Sequence, residues 1–325
     1  MQTRFTELLG CRLPIQLAGM GWVACPELAA AVAGAGGAGT VAPHLLPAPA
    51  LEPMLDELTA RAAGPIGFNV LIPFLDLDAV EVAAARLRYV EFFYGDPDPA
   101  LVARVHRHGA LAGWQVGSVG EAVAAEQAGC EFVIAQGVEA GGHVRGSTAL
   151  LPLLDAVLDA VTVPVVAAGG IATARGLAAV LAAGADAARI GTRFLATQEA
   201  DVHPDYQAAV LAANPEDTEL TEAFSVMWPN APHRVLRSSI AAARAASGET
   251  VGTVNLGDTE MPVPRLGPMA PIRATSGNIA AMPLFAGHGV GAVREVRPAA
   301  EIVREFADGA ARLLRPQRNR ERVLR

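Results

Sequence analysis

From residue 14 to residue 200 the chain repeats one pattern: a short β-branched or aromatic run, an Ala-rich run with helical spacing, then a glycine. The first kind of run predicts eight strands, at Pro14–Ala18, Gly39–Ala42, Pro65–Leu71, Tyr89–Gly95, Leu111–Gly117, Phe132–Gly137, Pro164–Gly169 and Ala187–Phe194. Between them the spacing predicts helices over Pro26–Ala35, Leu51–Ala62, Asp78–Leu87, Ala100–His108, Val119–Ala128, Leu150–Ala160 and Ala174–Ala183. Gly36, Gly109, Gly129 and Gly184 follow four of these, where a left-handed residue ends a helix. Strands separated by helices pair in parallel through crossovers. Eight of them, several apolar throughout, predict a closed (β/α)8 TIM barrel rather than an open doubly wound sheet. The alternation stops after residue 200, where Pro and polar residues increase and helices are expected only at Asp205–Ala213 and Arg234–Ala246. The expected division is therefore an α/β barrel over 1–200, a smaller, mainly helical cover over 201–296, and a C-terminal helix (Pro298–Leu314) within 297–325 that packs back on the barrel.

Composition narrows the chemistry. With 52% hydrophobic and 18% charged residues among 325, a sizeable core can form and a disordered chain is excluded. No lysine occurs, so all 25 Lys+Arg residues are arginine. Schiff-base aldolases, pyridoxal-phosphate enzymes and Walker-A loops, which need a particular lysine, are excluded. A net charge of -8 argues against nucleic acid as a partner; the Arg-rich tail from Arg315 to Arg325 reads as a solvated terminus. The three cysteines, Cys11, Cys25 and Cys130, have neither disulfide-framework nor metal-ligand spacing, which fits a reducing cytoplasm. Residues 1–10 have no signal-peptide core, and Leu28–Ala42 falls short of a membrane span.

Three glycine-rich motifs compete for function. Gly34–Gly39 satisfies GxGxxG, but a helix precedes it and a strand follows, the reverse of a dinucleotide site. It reads as a helix cap and turn at the bottom of the barrel. Gly169, Gly170, Gly191 and Thr192 follow the seventh and eighth strands, where barrel proteins bind phosphate on backbone amides. Gln136–His143 follows the sixth strand and places a histidine on a glycine loop at the catalytic end, suited to taking a proton near neutral pH or to a purely structural role. His288, on the Ala286–Gly291 loop, is a second candidate for lining the site; His44, His106, His108, His203 and His233 are less well placed. Trp22, Phe68, Trp114 and Phe285 could line a small apolar pocket or belong to the core. Cys130 falls at the wrong end of the barrel for a nucleophile, and no metal cage or Gly-x-Ser-x-Gly elbow is present.

These residues together resemble the nitronate monooxygenases, formerly 2-nitropropane dioxygenases. The similarity lies in Pro14–Met20 with Pro26–Val32, in Gln136–His143, Pro164–Ile171 and Ile190–Thr197, and in Met282–Gly291. It covers most of the chain, least clearly 201–255. It implies FMN in the barrel mouth, with the phosphate on Gly170, Gly191 and Thr192 beside Gly169, and Gly141 and Gly142 near the ribityl chain. It also implies flavin contacts from Gln136, Asn69, Gly19 and Met20, with His143 as base; Trp22 and His288 are the residues expected to line the substrate pocket beside them. Several relatives carry a lysine on the fifth strand where this chain has Gln115, so Arg189 or Arg193 would have to supply the missing charge.

The implied reaction is oxidation of alkyl nitronates or nitroalkanes by O2 to a carbonyl compound and nitrite. Hydrogens beside a nitro group are acidic because the carbanion delocalises onto the nitro oxygens. His143 would remove one from a neutral nitroalkane, and one-electron transfer to FMN followed by O2 would complete the oxidation. Enoyl-ACP and quinone reductases that use FMN and NAD(P)H share the motifs, so that activity stands as the alternative. A non-catalytic FMN-binding barrel is a third reading. The expected partner is a small-molecule substrate, with neither nucleic acid nor membrane; a homodimer is compatible with the sequence.

Overall fold

The computed structural model describes residues 1–256 and 259–315. The tail beyond Arg315 lies outside the described residues. Eight parallel strands form one sheet: Ile15–Leu17, Gly39–Val41, Ile66–Leu71, Tyr89–Phe93, Leu111–Val116, Phe132–Gln136, Val165–Ala168 and Ala187–Ile190. They are numbered one to eight below. The first pairs with the eighth, Ile15 opposite Ala188 and Leu17 opposite Ile190. A parallel bridge between Gln16 and Ala38, with Leu17 N donating to Ala38 O at 2.9 Å, joins the first strand to the start of the second and closes the barrel. Closure satisfies backbone groups that an open edge would expose.

The expected helices form between the strands, shifted by a few residues at their ends. Asp76, Asp98, Ser118 and Thr173 cap four of them by accepting backbone N–H groups. The predicted eighth strand is shortened. It stops at Ile190, Gly191 leaves the extended region at φ -114°, ψ -79°, and Thr192–Leu195 is a short helix, so Arg193 and Phe194 are helical. The GxGxxG stretch caps and turns, as its order predicts: the helix ends at Ala35, Gly36 is left-handed at φ 109°, and Gly39 begins the second strand.

Two features were not legible. A short helix, Arg4–Leu9, held by a Thr3/Thr6 capping box, plugs the bottom with Phe5, whose ring meets Phe132 edge-on at 5.8 Å. Six residues are too few for a periodic signal. Second, the segment after residue 200 contains strands as well as the helices Pro204–Ala212 and Arg237–Ala245. The predicted helix from Arg234 begins only at Arg237, because His233–Leu236 is a strand between Thr218–Thr221 and the two-residue strand Gly142–His143. Thr250–Leu256, Thr259–Pro264 and Thr275–Gly277 form another small antiparallel sheet. The helix Ala299–Leu314 packs between Pro26–Ala35 and Ala174–Ala182, where an eighth barrel helix belongs. Among the described residues no helix is long and apolar enough to cross a membrane.

Candidate active site

The floor of the barrel mouth is a buried polar network. Glu91, inward on the fourth strand and fully buried, accepts from Gln16 Nε2 at 2.8 Å and Asn69 Nδ2 at 3.0 Å. It also lies 2.5 Å from Arg189 Nη1 on the eighth strand, although that nitrogen lacks hydrogen-bond alignment. With Nδ2 committed to Glu91, the Asn69 amide presents Oδ1 as an acceptor. Gly19 lies directly over Asn69: a Cβ at Gly19 would fall 2.7 Å from Asn69 Cβ and Cγ, so only glycine lets the loop after the first strand cross here. Met20 continues that loop, with its sulfur 3.6 Å from where a Cβ on Gly191 would be.

His143 follows the sixth strand, but its loop is not free. Gly142–His143 is zipped onto the strand His233–Leu236, and Val144 N donates to Pro232 O at 2.8 Å. Gln136 Nε2 donates to the His143 carbonyl at 3.0 Å, which leaves Gln136 Oε1 buried with no partner among the described residues. Nε2 of His143 is likewise buried and unpartnered. Trp228 stacks on the imidazole at 3.8 Å and 20°, while Tyr94 at 5.8 Å and Phe285 at 5.7 Å approach from other sides. Burial pushes the His143 pKa down to about 3, and His233 and His44 add to the shift. The ring is therefore neutral at physiological pH, with a nitrogen available for proton exchange in an apolar box.

The glycines expected to hold a phosphate lie side by side at the ends of the seventh and eighth strands. Gly170 and Gly191 stand two residues beyond Ala168 and Arg189, which pair in the seventh and eighth strands. Among the described residues their amides donate to no partner. Gly287 N donates to Thr192 Oγ1 at 3.0 Å, leaving the hydroxyl hydrogen free to donate outward. The segment around Gly287 presses against the His143 loop: a Cβ on Gly141 would lie 2.5 Å from Gly287 N. Unpaired amides beside a hydroxyl donor suit an anion.

Other expected residues go elsewhere. His288 is exposed, fixed by its amide to Glu139 O at 3.0 Å, and its ring does not join the aromatic group around His143. Trp22 is half-buried and pairs with Met20 rather than entering that group. Phe68 and Trp114 are core, Trp114 donating to Gly95 O at 3.1 Å, and of the four expected pocket aromatics Phe285 alone is recorded in ring contact with His143. Gln115 is buried on the fifth strand, but neither arginine is positioned to replace a lysine charge there. Arg189 is paired with Glu91, and Arg193 turns away to the carbonyls of Ala196 and Glu295. Arg193 instead lines a cavity of about 210 Å³ with Thr173, Arg297 and Glu305. Residues that sequence reasoning missed are Trp228, Tyr94 and Glu91, together with His233 and His44, which it had set aside.

The sequence profile of the family described as nitronate monooxygenase matches residues 2–88 and 77–309. A Rhodococcus jostii protein named (3aS,4S,5R,7aS)-5-hydroxy-7a-methyl-1-oxo-octahydro-1H-indene-4-carboxyl-CoA dehydrogenase is 36% identical, over 78% of this chain and 71% of its own. A probable nitronate monooxygenase of Staphylococcus aureus is 28% identical, over 69% of this chain and 76% of its own. Among solved structures, FabK from Thermotoga maritima superposes with a TM-score of 0.79 at 29% identity, covering 96% of this chain and 97% of that one. The nitroalkane oxidase of Streptomyces ansochromogenes gives 0.75 at 31%, covering 95% and 98%.

Proposed function

The chain belongs to the nitronate monooxygenase family of oxidoreductases, and from that premise we propose that it oxidises small alkyl nitronates and nitroalkanes with FMN and O2 to a carbonyl compound and nitrite. The observation that carries this reading is the buried, unpartnered Nε2 of His143 in its aromatic box. Such a nitrogen can take the proton next to a nitro group; the burial that keeps the ring neutral also lowers its basicity, so the charge developing on the nitro oxygens would have to offset that cost. The donors and acceptors of the same mouth suit FMN. The free amides of Gly170 and Gly191 with the Thr192 hydroxyl would hold its phosphate, and the orphaned Oε1 of Gln136 would accept from a ring N–H. Asn69 Oδ1 offers a second acceptor, with Gly19, Met20, Gly141, Gly142 and Gly169 as close backbone walls and Gln115 as a neutral neighbour. Bound there, FMN supplies the electron-transfer chemistry, with O2 as the final oxidant. In this reading residues 201–296 form the cover, with His288 and Trp22 at the rim.

A second reading is supported by the 36% identical carboxyl-CoA dehydrogenase. In a flavin-dependent NAD(P)H reductase of enoyl thioesters the α-carbon takes up a proton as hydride adds to the β-carbon, and His143 would be the group that delivers it; a quinone would take its protons on oxygen. One preparation separates the two. The nitronate reading expects a yellow protein that consumes O2 and releases nitrite from ethylnitronate without NAD(P)H. Rapid anaerobic bleaching by NADH or NADPH, with no nitrite from any nitronate, would establish the second activity in its place.

A further inference from the structure

The stretch Phe224–Ala231 covers His143, yet no motif in the sequence marks it. Its inner side chains, Phe224, Trp228 and Ala231, are buried, whereas Val226 and Met227 face outward, Met227 at 62% exposure. Met227 and Asn230 turn the stretch through left-handed conformations at φ 72° and 56°, which asparagine tolerates and methionine rarely adopts. His233 holds the two ends of the stretch. Its Nδ1 donates to Ala231 O at 2.8 Å and its Nε2 accepts from Phe224 N at 3.2 Å, so the imidazole ties the two ends of the stretch together. Both nitrogens are used, and that pattern requires the neutral tautomer protonated on Nδ1. Within the tied loop, Trp228 lies flat on the His143 ring and is braced edge-on by Tyr94 at 4.8 Å and Phe74 at 5.1 Å.

We propose that Trp228 is the specificity-determining residue of this site, a wall on the face of His143 that admits short substrates and rejects long or branched ones, and that His233 is the positioning residue that holds it there. The inference rests on His143 as the reacting base. One ring face is closed by the indole, while Tyr94, Phe285 and His233 stand 5.2–5.8 Å from the ring, so an alkyl chain beside His143 would have to pack against Trp228. Removing the indole opens that face to alkyl chains. Removing the staple while leaving Trp228 in place frees the loop, with the same consequence.

The test compares the holoenzyme with Trp228→Ala, His233→Phe and His233→Gln; Trp228→Leu serves as a second truncation. Glutamine can still donate to Ala231 O and accept from Phe224 N, whereas phenylalanine fills the space and does neither. The kcat/KM preference for neutral nitroethane over neutral 1-nitrohexane, the forms that need His143 as base, should narrow about tenfold or more in Trp228→Ala and His233→Phe, the scale on which a hydrophobic pocket discriminates chain length. His233→Gln should retain it. An unchanged preference in folded Trp228 variants, or identical behaviour of the two His233 variants, overturns the proposal. NMR of the full-length protein without substrate gives an independent arm. The His143 ring protons should show an upfield ring-current displacement that is lost in Trp228→Ala and His233→Phe and kept in His233→Gln. Absence of that displacement in the unmodified protein overturns the inference whatever the activity. If neither nitroalkane is turned over while the displacement behaves as expected, the nitronate reading falls and takes the size-selecting role with it, leaving only the stapled stack of Trp228 on His143.

Discussion

At the residue scale, His143 combines a motif readable in one dimension with an environment that is not. Its glycine loop at the end of the sixth strand marks it in the sequence, but burial and the nearby His233 and His44 hold its pKa at about 3. A base must be unprotonated, so turnover of a neutral nitroalkane should stay level as pH falls from 8 through 5 and drop only towards 3. A pH profile of kcat/KM checks this, and an acid limb near 6.5 would contradict the depressed pKa. His143→Ala should cut turnover of neutral nitroalkanes ~100-fold or more, with little effect on preformed nitronates, which need no proton removed. Stopped-flow assays with each form of the substrate distinguish the two. Trp228 and Tyr94 were not legible, because their place on His143 depends on segments far apart in sequence. No local spacing encodes such a meeting.

At the element scale, barrel strands and crossover helices were readable because periodicity and helix stops recur within single segments. The elements that shape the site are short and depend on partners. Gly142–His143 is a strand only because His233–Leu236 lies beside it. The Gly287 segment reaches the cradle only because two loops approach backbone to backbone. A Cβ on Gly287 would lie 2.6 Å from Glu139 O and 2.7 Å from Gly141 N, so Gly287→Ala must push the loops apart. Overpacking of this kind costs ~1–3 kcal/mol, which, borne by the flavin-bound form, would weaken flavin binding roughly five- to 150-fold. Dialysis equilibrium followed by flavin fluorescence measures it; unchanged affinity would remove this segment from the cofactor site.

At the scale of the whole molecule, the barrel encloses an ion pair that helps define its mouth. Glu91→Ala would leave Arg189 charged and buried without a partner, a loss of roughly 3–5 kcal/mol in urea denaturation. Replacing both, as Glu91→Leu with Arg189→Met, should cost much less, because no charge remains unpaired. Protonation acts on the whole fold too. His143 and His44 are held near 3 and 4 by burial, below the ordinary 6.5. The unfolded chain therefore binds protons below pH 6.5 that the folded chain refuses. Stability should be highest above pH 6.5 and fall as pH is lowered towards 4, by up to about 1.4 kcal/mol per pH unit for each histidine. Melting curves across that range test it, and replacing His44 with Gln should flatten the slope.

The sequence by itself determined the barrel and the strand ends that carry the glycine loops and His143. Those properties follow from periodic burial and from glycines that local backbone geometry demands. Only the tertiary structure decided what surrounds His143, because that depends on which distant side chains close the space above it. Trp228, His233 and Tyr94 meet His143 through loops whose paths are set by mutual packing. The same holds for charge. A chain without lysine left the neighbourhood of Gln115 to be balanced by arginine, and only the folded barrel shows Arg189 paired with Glu91 and Arg193 turned away. Pairing of buried charges is a matter of distance in space, which one-dimensional spacing does not carry.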